Sequence, residues 1–324
     1  MGATVAVNSG HDTSKGFGKP FGISYGKMMM WFFILSDALT FSGFIVAYGF
    51  SRFKFIQEWP IADEVFNHFP FLHGVDAPMY YVALMTFILI FSSVTMVLAV
   101  DAGHHMKKNK VITYMFLTII GGMIFVGSQA WEWKNFINGG YGAVKTKSGS
   151  LLQFTDADGK RVPMNTFVVK TATDRVQHTA STGLWSVKEG SLSPYAMKDV
   201  ITSFAARPDL RVRTQELTEA GEKTVLSREA SIEKLKLGVK TIEGANLVEN
   251  EYGHPLFADF FFFITGFHGF HVFSGIVINI IIFINVILGT YEKRGQYEMV
   301  EKVGLYWHFV DLVWVFVFTF FYLV

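Results

Sequence analysis

The sequence predicts an all-α integral-membrane bundle of five transmembrane helices with a soluble mixed insert between the third and fourth. Three observations carry this. Half of the 324 residues are hydrophobic (51%) and only 17% are charged, a membrane composition diluted by something polar. Five apolar runs, at about 28–50, 79–100, 111–133, 256–288 and 303–324, are each long enough to cross a bilayer. Residues 134–253 contain no such run and are rich in Gly, Ser, Thr and both charges.

Taken in order, residues 1–26 form a polar tail with little periodicity. The first apolar run is too long for the core of a cleavable leader, and Ser51-Arg52-Phe53-Lys54 follows it where small residues would mark cleavage. Residues 52–77 read as an interfacial loop with aromatic anchors, Trp59 and Phe69 among them. Pro78 or Met79 opens the second helix. DAGHHMKKNK (101–110) is a hydrophilic turn whose His104-His105 pair reads as solvated basic surface. The third helix ends on Trp131 and Trp133. In the insert, TFVVK (166–170) suggests a strand and residues 217–237 one or two amphipathic helices. His178 stands alone there, and the insert holds no phosphate loop, metal-spaced histidine cluster or nucleophile elbow.

Lys and Arg near the helix ends set the orientation. Lys15, Lys19, Lys27, Lys107, Lys108, Lys110, Lys293, Arg294 and Lys302 fall on one side; Arg52, Lys54 and Lys134 fall on the other. The bias places the N-terminus in the cytoplasm and the insert and C-terminus outside. A net charge of +1 with no long basic run points to no nucleic acid, and the absence of cysteine excludes disulfides, thiolate metal sites and thioether-bound haem.

Ionisable residues inside such helices are candidate functional groups. Asp37 lies near the middle of the first helix, beside a stripe of small residues (Ser36, Thr40, Gly43, Ala47) suited to a close helix neighbour. A carboxylate there costs roughly 3 kcal/mol on insertion scales. A structural buried acid and a proton- or lipid-related role both stay open for it. His268 and His271 sit one turn apart in the fourth helix, His308 and Asp311 in the fifth, and Glu132 closes the third with Gln129. Carboxylates and histidines at this spacing invite a metal centre. Helix positions argue against it: at ~1.5 Å per residue, His268 and His308 are expected on the order of 15 Å apart in depth. The expected use is hydrogen bonding between helices, to lipid or to a partner. No catalytic, cofactor or metal ligand residue is assigned, and a stand-alone transporter or proton channel using Asp37, His271 and Asp311 is the alternative.

YWHFVDLVWVF (306–316) and TGFHGFHV (265–272) resemble the last two helix motifs of subunit III of haem–copper oxidases of the cytochrome c oxidase type. SSVTM (92–96), QAWEW (129–133) and WFFILSDALTFSGF (31–44) resemble the motifs of the remaining three, in order. The resemblance does not reach residues 1–20 or 134–252. It implies a non-catalytic, lipid-binding membrane subunit of a proton-pumping terminal oxidase that reduces dioxygen to water. Such a subunit carries no redox centre; haem and copper belong to the partner subunits I and II. It supports proton uptake and the durability of subunit I, and holds structural phospholipids. Asp37 stands where the family usually has a buried glutamate; Trp307, His308, Asp311, His268, His271 and Glu132 are then interhelical or lipid contacts. Longer members carry two further helices ahead of this first one, so part of the lipid cleft is expected to come from elsewhere. The insert has no counterpart in those forms and is expected to dock another respiratory complex or a cytochrome c module. The five-helix form resembles bacterial members, which implies the inner membrane with the insert in the periplasm.

Overall fold

The computed structural model describes residues 24–70, 79–171 and 194–323. His178, Lys15, Lys19 and most of the N-terminal tail lie outside the described residues.

The five apolar runs form five long helices: α1 (Tyr25–Lys54), α3 (Tyr80–His104), α4 (Lys108–Asn138), α7 (Pro255–Ile287) and α9 (Glu298–Phe318), the last closing in a π-helical turn, Thr319–Leu323. All five are long and apolar enough to cross a membrane. They exceed the apolar runs because polar ends continue the helical ladder: Ser24 precedes α1, Pro255 sits in the first turn of α7, and Glu298 and Glu301 open α9. A short helix, α2 (Ala62–Val65), lies in the loop after α1, and α8 (Thr290–Arg294) joins α7 to α9.

The helices pack through small residues. A Cβ on Gly122 would lie 2.6 Å from the Trp307 ring, and one on Gly275 would meet the same ring at 3.0 Å. Trp307 is fully buried in that notch between α4 and α7. The stripe on α1 behaves otherwise. Ser36, Thr40, Gly43 and Ala47 are exposed, and nothing approaches Gly43 within 4 Å. Among the described residues no helix packs on that face; α1 buries instead Phe41 and Tyr48, against Phe267 and Phe260 of α7.

The insert is a five-stranded antiparallel sheet in the order β4-β3-β2-β1-β5, with β1 (Ala143–Thr146), β2 (Leu151–Thr155), β3 (Arg211–Leu217), β4 (Lys223–Val225) and β5 (Gly238–Ile242). Helices α5 (Met197–Ala206) and α6 (Arg228–Leu235) belong to its hydrophobic core, which includes Val144, Leu152, Phe154, Val200, Phe204 and Val212. One expectation fails here. The stretch 166–170 is no strand: a 3₁₀ turn, Met164–Thr166, follows Pro163, and the Val168 amide bonds back to the Met164 carbonyl (2.9 Å). That turn brings Met164 and Val168 into the core together, which alternation would not. In 217–237, where one or two helices are expected, one forms, α6; residues 218–221 turn the chain from β3 back into β4.

The other face of the sheet carries polar side chains down onto the loops above the bundle. Arg213 of β3 grips Glu64 of α2 in a bidentate pair (2.7 and 2.6 Å) and also donates to Gln153 of β2 (2.6 Å). The Gln153 amide donates to the carbonyls of Glu251 and Tyr252, which lead into α7. Glu251 is fully buried, and its carboxylate accepts from four backbone amides: Gly140 (3.0 Å), Tyr141 (3.3 Å), Gly142 (3.0 Å) and Gly244 (2.7 Å). The run Gly139-Gly140-Tyr141-Gly142 permits this cradle. Gly139 and Gly142 adopt φ of +67° and +74°, and a Cβ on Gly142 would strike Met164. The guanidinium of Arg161 is buried beneath, over the Tyr141 ring at 4.3 Å.

Candidate functional site: a polar layer inside the bundle

Polar groups within the spans are tied across helices. Trp307 donates to Ser92 of α3 (3.1 Å), Trp314 to Thr86 of α3 (2.9 Å) and Trp133 of α4 to Thr265 of α7 (2.9 Å). Each indole N–H thereby avoids being left unpaired in an apolar interior, and each bond stabilises its helix pair by about 1 kcal/mol.

His268 belongs to this scaffold. Its Nε2 lies 3.1 Å from the Val310 carbonyl. A carbonyl only accepts, so Nε2 carries the proton; Nδ1 is buried without a partner among the described residues. The ring is enclosed by Phe125 and Trp314. This is a neutral clamp between α7 and α9.

The same contact corrects the depth expectation. Level with Val310, His268 is only about two helical residues, ~3 Å, from the height of His308. The 15 Å figure fails because α9 begins at Glu298 rather than at 303, which moves His308 toward the middle of its span. What separates the two histidines is direction. His268 turns to the α9 backbone, whereas His308 Nδ1 meets Ser93 of α3 at 2.7 Å. Among the described residues there is no group of three or more His, Asp or Glu placed to hold a metal ion.

Asp37 and His271 do come together. His271 Nε2 is 3.2 Å from Asp37 Oδ2, joining α7 to α1. His271 Nδ1 is 2.8 Å from the Phe267 carbonyl, so Nδ1 is protonated. Two states then satisfy the pair: a protonated Asp37 donating to neutral His271, or an imidazolium donating to the carboxylate. In both, one proton lies between two atoms and the pair carries no net charge, which lets it sit partly buried in an apolar surround. Ser274 and Tyr306, whose hydroxyls are 2.8 Å apart, both reach the His271 carbonyl and fix the helix beside it. Phe41 and Phe267 wall the imidazole.

Asp311 is buried beside Ser93. Among the described residues no direct hydrogen bond links it to Asp37 or His271. Glu132 accepts from Gln129 (2.8 Å) and from Tyr322 (2.9 Å), closing α4 onto the end of α9. Sequence reasoning overlooked Tyr322 and Tyr306; their only signal was an aromatic with a polar tip in an apolar run.

Five long apolar helices tied by hydrogen bonds between buried polar groups, with Asp37 set against His271, define a multi-pass membrane bundle. Residues 243–324, covering α7 to α9, match the family model described as cytochrome c oxidase subunit III. The chain is 42% identical over 64 residues to cytochrome c oxidase subunit 3 of Marchantia polymorpha, covering 20% of this chain and 24% of that protein. It is 37% identical over 76 residues to the probable subunit 3 of Rickettsia prowazekii (strain Madrid E), covering 23% and 27%. The protein of Thermostichus vulcanus named cytochrome c oxidase subunit 3 is 37% identical over 73 residues, 21% and 34%. The chain thus spans about a quarter to a third of the length of these curated relatives. Over residues 243–324 the chain is similar to subunit III of the cytochrome c oxidase type.

Proposed function

We propose that this chain is a non-catalytic subunit III of a bacterial proton-pumping terminal oxidase, set in the inner membrane with its N-terminus cytoplasmic and its insert periplasmic. The observation that carries this reading is the family match over residues 243–324, whose helix α7 sets His271 against Asp37 of α1. Dioxygen reduction then belongs to subunits I and II, which hold the haem and copper. The Asp37–His271 pair is the chain's own contribution to proton uptake: it holds one proton at mid-bundle without net charge, and can pass it on without an isolated charge forming in the apolar layer.

Structural lipid is part of the same role. A cleft of about 240 Å³ at the insert side of the bundle is lined by Arg52, Lys223 and Asp63 and by the aromatic Tyr48, Trp59, Phe257 and Phe321. Cations beside aromatic surface suit a phosphate headgroup and the root of its acyl chains. The insert, locked to the bundle through Arg213 and Glu251, presents a rigid surface for a neighbouring respiratory complex or cytochrome c module.

The test is the oxidase assembled with Asp37→Asn in this chain. Initial oxygen consumption near that of the unaltered complex, followed by faster loss of activity or slower proton uptake, supports the reading. Kinetics and lifetime equal to the unaltered complex remove Asp37 from any such role.

A further inference from the structure

At the insert end of the bundle, away from Asp37 and His271, the Glu132 carboxyl is sealed in. Its residue is 5% exposed. Oε2 accepts two hydrogen bonds, from Gln129 and Tyr322, while Oε1 is buried with no partner among the described residues. One turn further along α4, the buried amide nitrogen of Asn135 also has none. Both residues line one small cavity of about 10 Å³, bounded by Phe66, His68 and Tyr81. That is the volume of a single water, in a site offering the polar partners a buried water requires.

We infer that Glu132 is a neutral, protonated carboxyl that holds one internal water against Asn135, forming a proton-holding site at the insert end of the bundle. The hydrogen-bond roles fit. Oε2 acts as the carbonyl oxygen and accepts from two donors. Oε1 carries the proton and donates to the water, which also accepts from the Asn135 amide. The groups that interact with the carboxyl are polar and uncharged, Gln129 and Tyr322, and no cation forms an ion pair with it among the described residues. An ionised form would stand uncompensated in an apolar surround. Among the described residues, Tyr81 of α3 and His68 of the loop after α2 are the other titratable groups facing it. This site is independent of the Asp37–His271 pair and of the proposed oxidase role.

Infrared spectroscopy of the full chain in lipid nanodiscs at neutral pH tests this. A carboxylic C=O band is expected that vanishes in Glu132→Gln, persists in Asp37→Asn and Asp311→Asn, and moves down in D₂O. Tyr322→Phe, which keeps the acid and removes one donor to Oε2, should move that band up. Asn135→Leu should shift it without abolishing it, and should remove an O–H stretch sensitive to H₂¹⁸O. A carboxylate band lost in Glu132→Gln with no change in the carboxylic region overturns the protonated state. An unchanged water signal in Asn135→Leu overturns the water.

Discussion

Replacing Glu64 with Gln tests how the insert is fastened. The Arg213 guanidinium, 7% exposed, spends both terminal nitrogens on the Glu64 carboxylate, and an Arg161 nitrogen lies 4.0 Å from the same oxygens. Gln keeps the shape and one acceptor but removes the charge that two buried cations share. Breaking a fully buried pair costs about 3–5 kcal/mol. Glu64 is 28% exposed, so water screens part of that, and about 2 kcal/mol is the reasoned loss. Through the two-state relation this is about 30-fold in the opening equilibrium of the seam. Hydrogen exchange on the full chain in nanodiscs reads it directly. Amides of β2 and β3 should exchange about 30-fold faster, while those of α7 stay unchanged. Exchange within about threefold of the unaltered protein, or equal acceleration in α7, would refute the reasoning. The pH response follows from the same contacts. Burial is the largest single influence on the Glu64 carboxyl and pushes it up, but the hydrogen bonds and charge of Arg213, with Arg161 and Lys223, together outweigh it and hold the group below its ordinary value of 4.5. A carboxyl depressed by folding stabilises above its unfolded pKa, and that stabilisation is lost as pH falls through the folded value. After correction for intrinsic exchange, acid should loosen the β2–β3 seam below about pH 4.5 in the unaltered protein and have little effect in Glu64→Gln.

Other perturbations act at separate points. Gly122→Val drives a side chain into the Trp307 ring and should lower the stability of the bundle by about 1–3 kcal/mol, seen as a lower midpoint in thermal unfolding; no shift would show that the notch yields. Asp37→Leu leaves His271 Nε2 unpaired and should cost about 1–3 kcal/mol, whereas Asp37→Asn, which can still donate, should cost under about 1 kcal/mol; equal losses would contradict a hydrogen-bonded pair. Lys223 is pushed down to about 8, first by burial and then by Arg213. Anionic lipid retained in the Arg52–Lys223 cleft should therefore decline as pH rises through that value, measured by native mass spectrometry, and Lys223→Met should abolish the dependence.

The spans were legible because a bilayer demands long apolar runs, and the buried polar residues because such groups stand out within them. Asp37, His271, Trp307 and Glu132 do face protein, as their residue types implied. Which group meets which was not legible. Asp37 and His271 are 234 residues apart, and the choice of Phe267 and Asp37 as partners depends on a helix rotation that composition does not encode. Depth was misjudged where polar residues continue a helix past its apolar run, as at Glu298. In the insert, TFVVK has strand-forming residues, yet Pro163 and the burial of Met164 with Val168 impose a turn. The Glu251 cradle had a readable half, the Gly139–Gly142 run, but its carboxylate arrives from over a hundred residues later in the chain.

The central claim, that this chain serves a redox enzyme whose metals lie in other chains, is tested most directly by purifying the tagged full chain from its native membrane in mild detergent and recording the absorption spectrum and the copurifying chains. A haem-bearing chain in stoichiometric amount, whose haem absorption disappears when this chain is separated from it, is the predicted result. A chain that purifies alone from oxidase-containing membranes, or that keeps stoichiometric metal after separation, would contradict the claim.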